Sequence, residues 1–562
     1  MRTLVLLSLL TTTAAMAQVS GPLVTTPVNS AFTETLAVIS SMGMSDALAV
    51  REFRVERSHE ITKVTAEQQA LMSAASVAPS LSVPANAPYT QTAIYQPLGS
   101  SLGTNFEALG IGTPGFGITG APPDTTLGVS ATQIVQWVNS QFAVYNKAGT
   151  PLLAAPGFLN GNQIWQALPL TSMCRATNRG DPLVQYDKLA NRWILSQFAF
   201  TGGGGTPPYS QCIAVSQSDN ALGAYNLYEY SFGNDLPDYG KLGVWPDAYY
   251  ITYNMFNLGA NFSGGRACAY DRAAMLAGAA SPVSVCFNST QRFSFLPADL
   301  DGTTLPPAGA PNPHISWNWA FELTAPYTMQ VTKFKPNFVT PALSTFNDGL
   351  GGAPFSFVAF NMDASTFASC NDNGGSCVAQ PGTAQRLDTL GSRQMYRNVY
   401  RNFGSHDALL FTQAVDMTGG NPSKATMRWW EIRNPNSGAP VVFQNSNFMP
   451  DATNERWMSS AAFDKHGNIA IGYSIAGPST FPSIRISARK KNDPKNLLRS
   501  EATVVAGTGS QTTSLARWGD YSTMQIDPAD DCTFWFTTQY IGASGTFNWR
   551  TRIASFRFPS CV

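Results

Sequence analysis

The chain has 562 residues, with 35 basic and 35 acidic side chains, a formal net charge of zero, and no basic block or tail. Without a run of cations to neutralise phosphates, nucleic acid is not expected as a partner. Charged residues make up only 12% while aromatics reach 11% and Gly, Pro, Ser, Thr and Asn abound, which argues against a helical cytosolic protein and for loop-rich extracellular β structure.

At the N-terminus, Arg2 supplies a positive start, Leu4 to Leu10 a mainly apolar core, and Ala15-Met16-Ala17 a small-x-small cleavage site. Residues 1–17 therefore read as an export signal, and the expected location is secreted or periplasmic. No later stretch approaches the roughly 18 to 20 apolar residues of a membrane helix, so no integral membrane segment is expected. Residues 18–115 form an N-terminal extension with helical character from Thr33 to Phe53, followed by a Pro/Ala/Ser-rich linker from Ala78 to Pro88. This extension reads as a pro-segment or a clasp over the main domain.

Eight cysteines in an oxidising compartment imply four bridges. Pairing by proximity gives Cys174–Cys212, Cys268–Cys286, Cys370–Cys377 and Cys532–Cys561, out of 105 possible connectivities. With no C-x-x-C and only four histidines, zinc is disfavoured.

Residues 116–562 repeat a pattern: a tight, often acidic or Trp-bearing opening, a short apolar strand, a turn at Asp or Asn near Gly, and a second strand. The clearest copies run from Gly180 to Trp193, from Trp457 to Tyr473 and from Trp518 to Trp535. Taking the openings at 124, 181, 247, 314, 407, 458 and 520, the intervals are 51 to 67 residues apart from one of 93. That spacing suits four-stranded blades, so the expected fold is an all-β propeller of seven blades, with six to eight allowed. The long interval either carries an insertion around Cys370 to Cys377 or hides a further blade. A pair of β-sandwiches is the competing architecture, although it does not require a repeated opening.

These three units resemble the secreted bacterial sialidase-like propellers with neuraminidase-type repeats, across roughly residues 120 to 562. The resemblance implies a propeller fold and a glycan ligand. The strict S-x-D-x-G-x-T-W box is absent, its nearest approach being Phe463-Asp464-Lys465-His466-Gly467-Asn468. Arg386, Arg393, Arg397 and Arg401 are plentiful, but none maps onto the arginine triad of a sialidase.

If the openings share one register, Asp124, Asp181, Asp247, Asp407 and Asp520 converge at one mouth of the central channel. Carboxylates around a polar funnel can serve as acid and base in glycoside hydrolysis or hold calcium, and they can equally cap turns. Asp181, Asp247 and Asp520 are the first candidates for catalysis. His406, like His314, is a candidate general base for a lyase-like site, with Tyr239, Tyr473 or Tyr521 as a phenolic partner, and the alternative for each is a structural hydrogen bond. Asp299-Leu300-Asp301-Gly302 reads either as part of a calcium loop or as a plain Asp-Gly turn. Trp137, Trp193, Trp245, Trp317, Trp429, Trp430, Trp457, Trp518 and Trp535 are read mainly as packing, with sugar platforms among them as the alternative. The expected function is a carbohydrate-active or carbohydrate-binding propeller, as glycoside hydrolase or polysaccharide lyase; its rival is a non-catalytic surface protein presenting loops to a cell-surface ligand.

Overall fold

The computed structural model describes residues 21–42, 79, 81–83, 89–117, 120–202, 206–290, 292–317, 327–362, 376–391, 393–418, 423–436 and 440–562. The export signal, residues 43–53 of the expected helix, most of the Ala78–Pro88 linker and Cys370 lie outside them.

Among the described residues, and beside one two-stranded sheet, the strands group into six consecutive four-stranded antiparallel meanders and a seventh of three consecutive strands, here called the first to seventh sheets. Their first strands are Thr126–Val129, Leu183–Asp187, Asp235–Val244, Phe293–Asp301, Gln394–Asn402, Glu455–Phe463 and Thr523–Ile526. Each of these inner strands contacts the next, and the seventh returns to contact the first. This closed ring makes the fold a β-propeller and excludes two face-to-face sandwich sheets. The fourth and fifth inner strands approach closely enough to pair directly, Ala298–Asp301 running parallel to Asn398–Arg401.

The seventh sheet lacks a C-terminal outer strand, and Leu102–Glu107 supplies it by pairing with Trp549–Phe556. Closure by the chain's own beginning leaves the ring without a gap. Other parts of the extension add edge strands: Leu23–Thr25 on the third sheet, Asn29–Phe32 on the second, Leu81–Val83 on the fourth and Tyr89–Gln91 on the fifth. They occupy backbone donors and acceptors that an outer strand would otherwise expose. The short helix Leu36–Ser41 starts at Thr35, whose hydroxyl accepts from the Val38 amide at 3.3 Å.

Inner strands such as Glu455–Phe463 are buried at every position. Both faces of each sheet pack against neighbours, so apolar and polar residues do not alternate as they would in a sheet with one wet face. Trp137, Trp193, Trp245, Trp429, Trp430, Trp457 and Trp518 are at most 1% exposed and Trp535 is 3% exposed, so the packing reading holds for them. Each fully buried large side chain contributes roughly 1.5–3 kcal/mol.

The acidic turns after the inner strands follow from backbone chemistry. Asp187 Oδ1 accepts from the amides of Leu189 and Ala190, Asp464 Oδ1 from those of His466 and Asn468, and Asp527 Oδ1 from that of Ala529. These carboxylates satisfy hairpin amides that no ladder partner reaches. Three expected disulfides are present: Cys174–Cys212, Cys268–Cys286 and Cys532–Cys561. No helix among the described residues is long and apolar enough to cross a membrane.

Candidate functional site

All the inner strands begin at one mouth of the ring, where the backbone is repeatedly bent. Asp124, Asp181, Tyr239, Ser294 and Met458 each have φ between 47° and 55°, the first two lying two residues before pairing starts and the other three at register shifts inside their strands, two residues before pairing resumes. Asp tolerates this left-handed conformation better than most residues, which accounts for the first two. Gly180 precedes the second bend at φ 97°, and a Cβ there would lie 2.2 Å from Asn139 Oδ1. The missing side chain lets Asn139 reach the Asp181 amide at 3.0 Å while its own amide nitrogen donates to Asp124 Oδ2 at 2.8 Å.

Around these bends gathers a buried charged cluster. The Asp520 amide donates to Asp124 Oδ1 at 2.6 Å, and Arg517 Nη2 donates to Asp520 Oδ1 at 2.5 Å. Arg517 also reaches Asp388 Oδ2 at 3.4 Å. Lys241 Nζ sits 3.3 Å from the Tyr239 ring centroid and 4.4 Å from that of Tyr521, and Arg393 covers Tyr239 at 4.5 Å. Burial pulls the Lys241 ammonium down to about 8 against the opposing pull of Asp181, Asp520 and Asp124. Burial pushes the Asp388 carboxyl above its ordinary range, with Arg517 opposing. Two carboxyl groups on one guanidinium, one of them raised by burial, is an arrangement that can divide acid and base roles.

Of the five aspartates expected at this mouth, the structure brings together Asp124, Asp181 and Asp520 only. Asp247 follows the third inner strand, in its hairpin to Ala248–Asn257, and so lies at the opposite end of the ring. The residue reaches solvent, yet protein packed around its carboxyl pushes it up to about 6 despite a hydrogen bond from Tyr250. His406 lies in the corresponding hairpin of the fifth sheet, after Gln394–Asn402, and Asp407 opens the second strand, Asp407–Asp416. His406 stacks on Phe403 at 5.1 Å and meets the Ser405 hydroxyl at 3.0 Å. Asp247 and Asp407 therefore lie at the end of the ring opposite the expected mouth, because Asp serves strand starts and hairpin turns alike and local pattern does not tell the two ends apart. His314 lies inside a second strand, fully buried against Tyr250, Phe334 and Phe346.

Below the mouth, side chains from four sheets close the axis. Arg397 donates to Asp299 at 2.5 Å, to Asp301 at 2.8 Å and to the Met524 carbonyl at 2.9 Å. Gln185 donates to Asp299, and Gln525 to Gln185, each at 2.8 Å. Lys188 joins Asp301 at 2.5 Å. Burial acts to raise Asp301, but Arg397 and Lys188 outweigh it and hold it at about 2. The calcium expected at Asp299 and Asp301 thus meets a pair already bridged by a guanidinium and an ammonium. The described residues group His466 with Cys532 and Cys561 as metal-type donors, but both sulfurs belong to one disulfide.

Sequence reasoning missed Asp388, Lys241 and the role of Arg517. Asp388 comes from the segment between the fourth and fifth sheets, folded against the seventh through its amide to the Ala516 carbonyl at 2.9 Å. The 93-residue interval was the signal that something had been inserted there.

No protein-family model matches the chain, and a search of the curated proteins finds no match. Among solved structures, the chain is similar to a GH93 α-L-arabinofuranosidase of Fusarium graminearum, at 7% identity over 82% of this chain and 99% of that one, with a TM-score of 0.36. It is likewise similar to the polysaccharide lyase Uly1, at 10% identity over 82% of this chain and 98% of that one, with a TM-score of 0.36. An α-L-arabinanase of Penicillium chrysogenum aligns at 8% identity over 82% of this chain and 100% of that one, with a TM-score of 0.33. At such values the likeness carries no argument about chemistry, which rests on the residues themselves.

Proposed function

We propose that this chain is an exported, carbohydrate-active propeller, with the seven sheets as its blades and a glycoside-cleaving site at the mouth where its inner strands begin. The export reading is supported by the N-terminal sequence and by three disulfides. The observation that carries the functional reading is Arg517, which holds Asp520 and Asp388 together. In this reading Asp388, whose carboxyl burial raises, is the acid toward the leaving oxygen and Asp520 is its carboxyl partner. Arg393, Lys241 and Tyr239 stand around them as positive and aromatic walls.

A second reading is favoured by burial: Asp124, Asp181, Asp388, Lys241 and Arg393 are at most 4% exposed, and Arg517 and Asp520 are 8% exposed. A cluster so enclosed can serve to lock the ring of a non-catalytic surface protein. Incubating purified protein, with and without chelator, with a glycan panel separates the two. Product release lost in Asp520→Asn and Asp388→Asn with the fold retained supports the enzyme, whereas no product in any variant supports the surface protein.

A further inference from the structure

The hairpins that end the inner strands lie at the end of the ring opposite the charged mouth. In the fifth and sixth sheets that end comprises residues 403–407, 434–436, 440–443 and 464–468, together with the connection 490–501 between Thr480–Arg489 and Ala502–Val505. Two hydrogen bonds lay this connection on the fifth sheet: the Asn496 amide donates to Gln444 Oε1 at 3.2 Å, and the Asn445 amide to Asn496 Oδ1 at 3.0 Å. The Lys491 amide donates to Asn468 Oδ1 at 2.9 Å. A Cβ at Gly467 would lie 3.6 Å from the Phe403 ring and 3.7 Å from Lys491 Cδ, so the hairpins of the two sheets form one surface.

This surface sorts its charges by depth. Its carboxylates are engaged: Asp464 serves the amides of His466 and Asn468, Asp407 Oδ2 accepts from the Asn436 amide at 3.4 Å, and Glu431 is buried against Arg433 at 2.7 Å and Gln444 at 2.5 Å. Asp493 receives two Arg499 nitrogens at 2.6 and 2.7 Å and the Lys490 amide at 2.8 Å, which stiffens the connection. On the adjoining seventh sheet, Asp531 is paired with Arg401 and Asp530 accepts the Thr533 hydroxyl at 2.7 Å. The cations stand outside. Lys465, Lys491 and Lys495 are exposed, Lys490 is half-buried, and none of the four makes an ion pair among the described residues. Two cations also share one ring, with Arg433 at 3.2 Å and Lys495 at 3.8 Å from the Phe443 centroid, and Lys490 lies 5.7 Å from that of Phe558. The rings hold these charges in place while the like charges repel one another. A chain of zero net charge thus carries a concentrated positive face at one end of its ring.

We infer that this face is a docking surface for an acidic polysaccharide, one with carboxylate or sulfate groups set along a chain of neutral rings. An anion over Phe443 is shared by Arg433 and Lys495 and relieves their repulsion, and later anions on the same polymer meet Lys490, Lys491 and Lys465. Four unpaired lysines fall short of the roughly six to ten phosphate contacts of a strong nucleic-acid binder, so a polymer of sparser charge is the better match. The choice of a polysaccharide rests on the exported, glycan-active reading above, but not on catalysis at the mouth.

Biolayer interferometry of the purified protein against polygalacturonate and dextran sulfate tests this, with neutral dextran, a DNA duplex and phosphatidylglycerol vesicles alongside. Lys491→Glu with Lys495→Glu reverses two exposed charges, Lys491→Arg with Lys495→Arg keeps them, and circular dichroism confirms that each variant is folded. Lys424→Glu, a half-buried lysine in the fifth sheet's hairpin at the mouth end, is the control. The expected result is binding of at least one acidic polymer and none of dextran, weakened about tenfold or more between about 50 and about 300 mM salt. The Glu pair weakens it by about tenfold or more, while the Arg pair and Lys424→Glu stay within about twofold. The inference is overturned if neither acidic polymer binds at the lower salt, if dextran binds as well, if the Glu pair binds as the wild type does, or if Lys424→Glu loses as much. Tighter binding of DNA or vesicles than of either polymer overturns it too. Because the readout is binding alone, it stands or falls apart from glycan cleavage.

Discussion

The backbone amide of Asp520 donates to the carboxylate of Asp124 at 2.6 Å, tying the start of the seventh inner strand to the start of the first. One hydrogen bond across 396 positions of sequence therefore spans the junction of the first and seventh sheets and belongs to the charged mouth as well. The mouth and the closure are one structure, and substitutions there act on both.

Asp520→Asn and Asp388→Asn are expected to lower glycan turnover by about 10²–10⁴-fold, the usual scale for removing a positioned acid or base. Asp247→Asn and His406→Ala, which lie at the other end of the ring, are expected to stay within about twofold of the wild type. Initial rates on whichever glycan is cleaved, with folding checked by circular dichroism, decide this; a large loss in Asp247→Asn would relocate the site.

Arg397→Met leaves Asp299 and Asp301 buried with Lys188 as the one cation still paired with them among the described residues. The expected cost is about 3–5 kcal/mol, as for other buried pairs stripped of one partner. The quadruple substitution Asp299→Asn, Asp301→Asn, Arg397→Met and Lys188→Met removes the orphaned charges together with their cations and is expected to regain part of that loss. Denaturant unfolding of the three proteins measures both steps.

His314 is fully buried among aromatic rings, and burial lowers it to about 3, against 6.5 when exposed. Between those values the unfolded chain binds a proton that the folded chain refuses, so stability falls as the pH drops below 6.5. By pH 5 the loss from this residue is about 2 kcal/mol. His314→Leu is expected to flatten the acid side of the stability profile by that amount, which chemical unfolding at pH 7 and pH 5 tests.

Gly180→Ala puts a Cβ where Asn139 Oδ1 now stands, on a backbone at φ 97°. The expected destabilisation is about 1–3 kcal/mol, from strain and from displacing the amide that serves Asp124 and Asp181. Thermal unfolding of Gly180→Ala against the neighbouring control Thr177→Ala separates this from a general loop effect.

The sequence by itself determined the all-β propeller and three of its disulfides, because repeated strand-turn-strand units and nearby cysteines are local patterns. It placed the openings at Asp124, Asp181 and Asp520 before inner strands and the one at Met458 at the bend inside another. It also marked the 93-residue interval as irregular. Only the tertiary structure decided that the openings at Asp247, His314 and Asp407 belong to hairpins and second strands, that Arg517 joins Asp520 to Asp388, and that Arg397 fills the axis. The reason is physical: an aspartate capping hairpin amides and one lining a channel mouth have the same immediate neighbours in sequence. What distinguishes them is the closure of the ring, which brings together residues hundreds of positions apart.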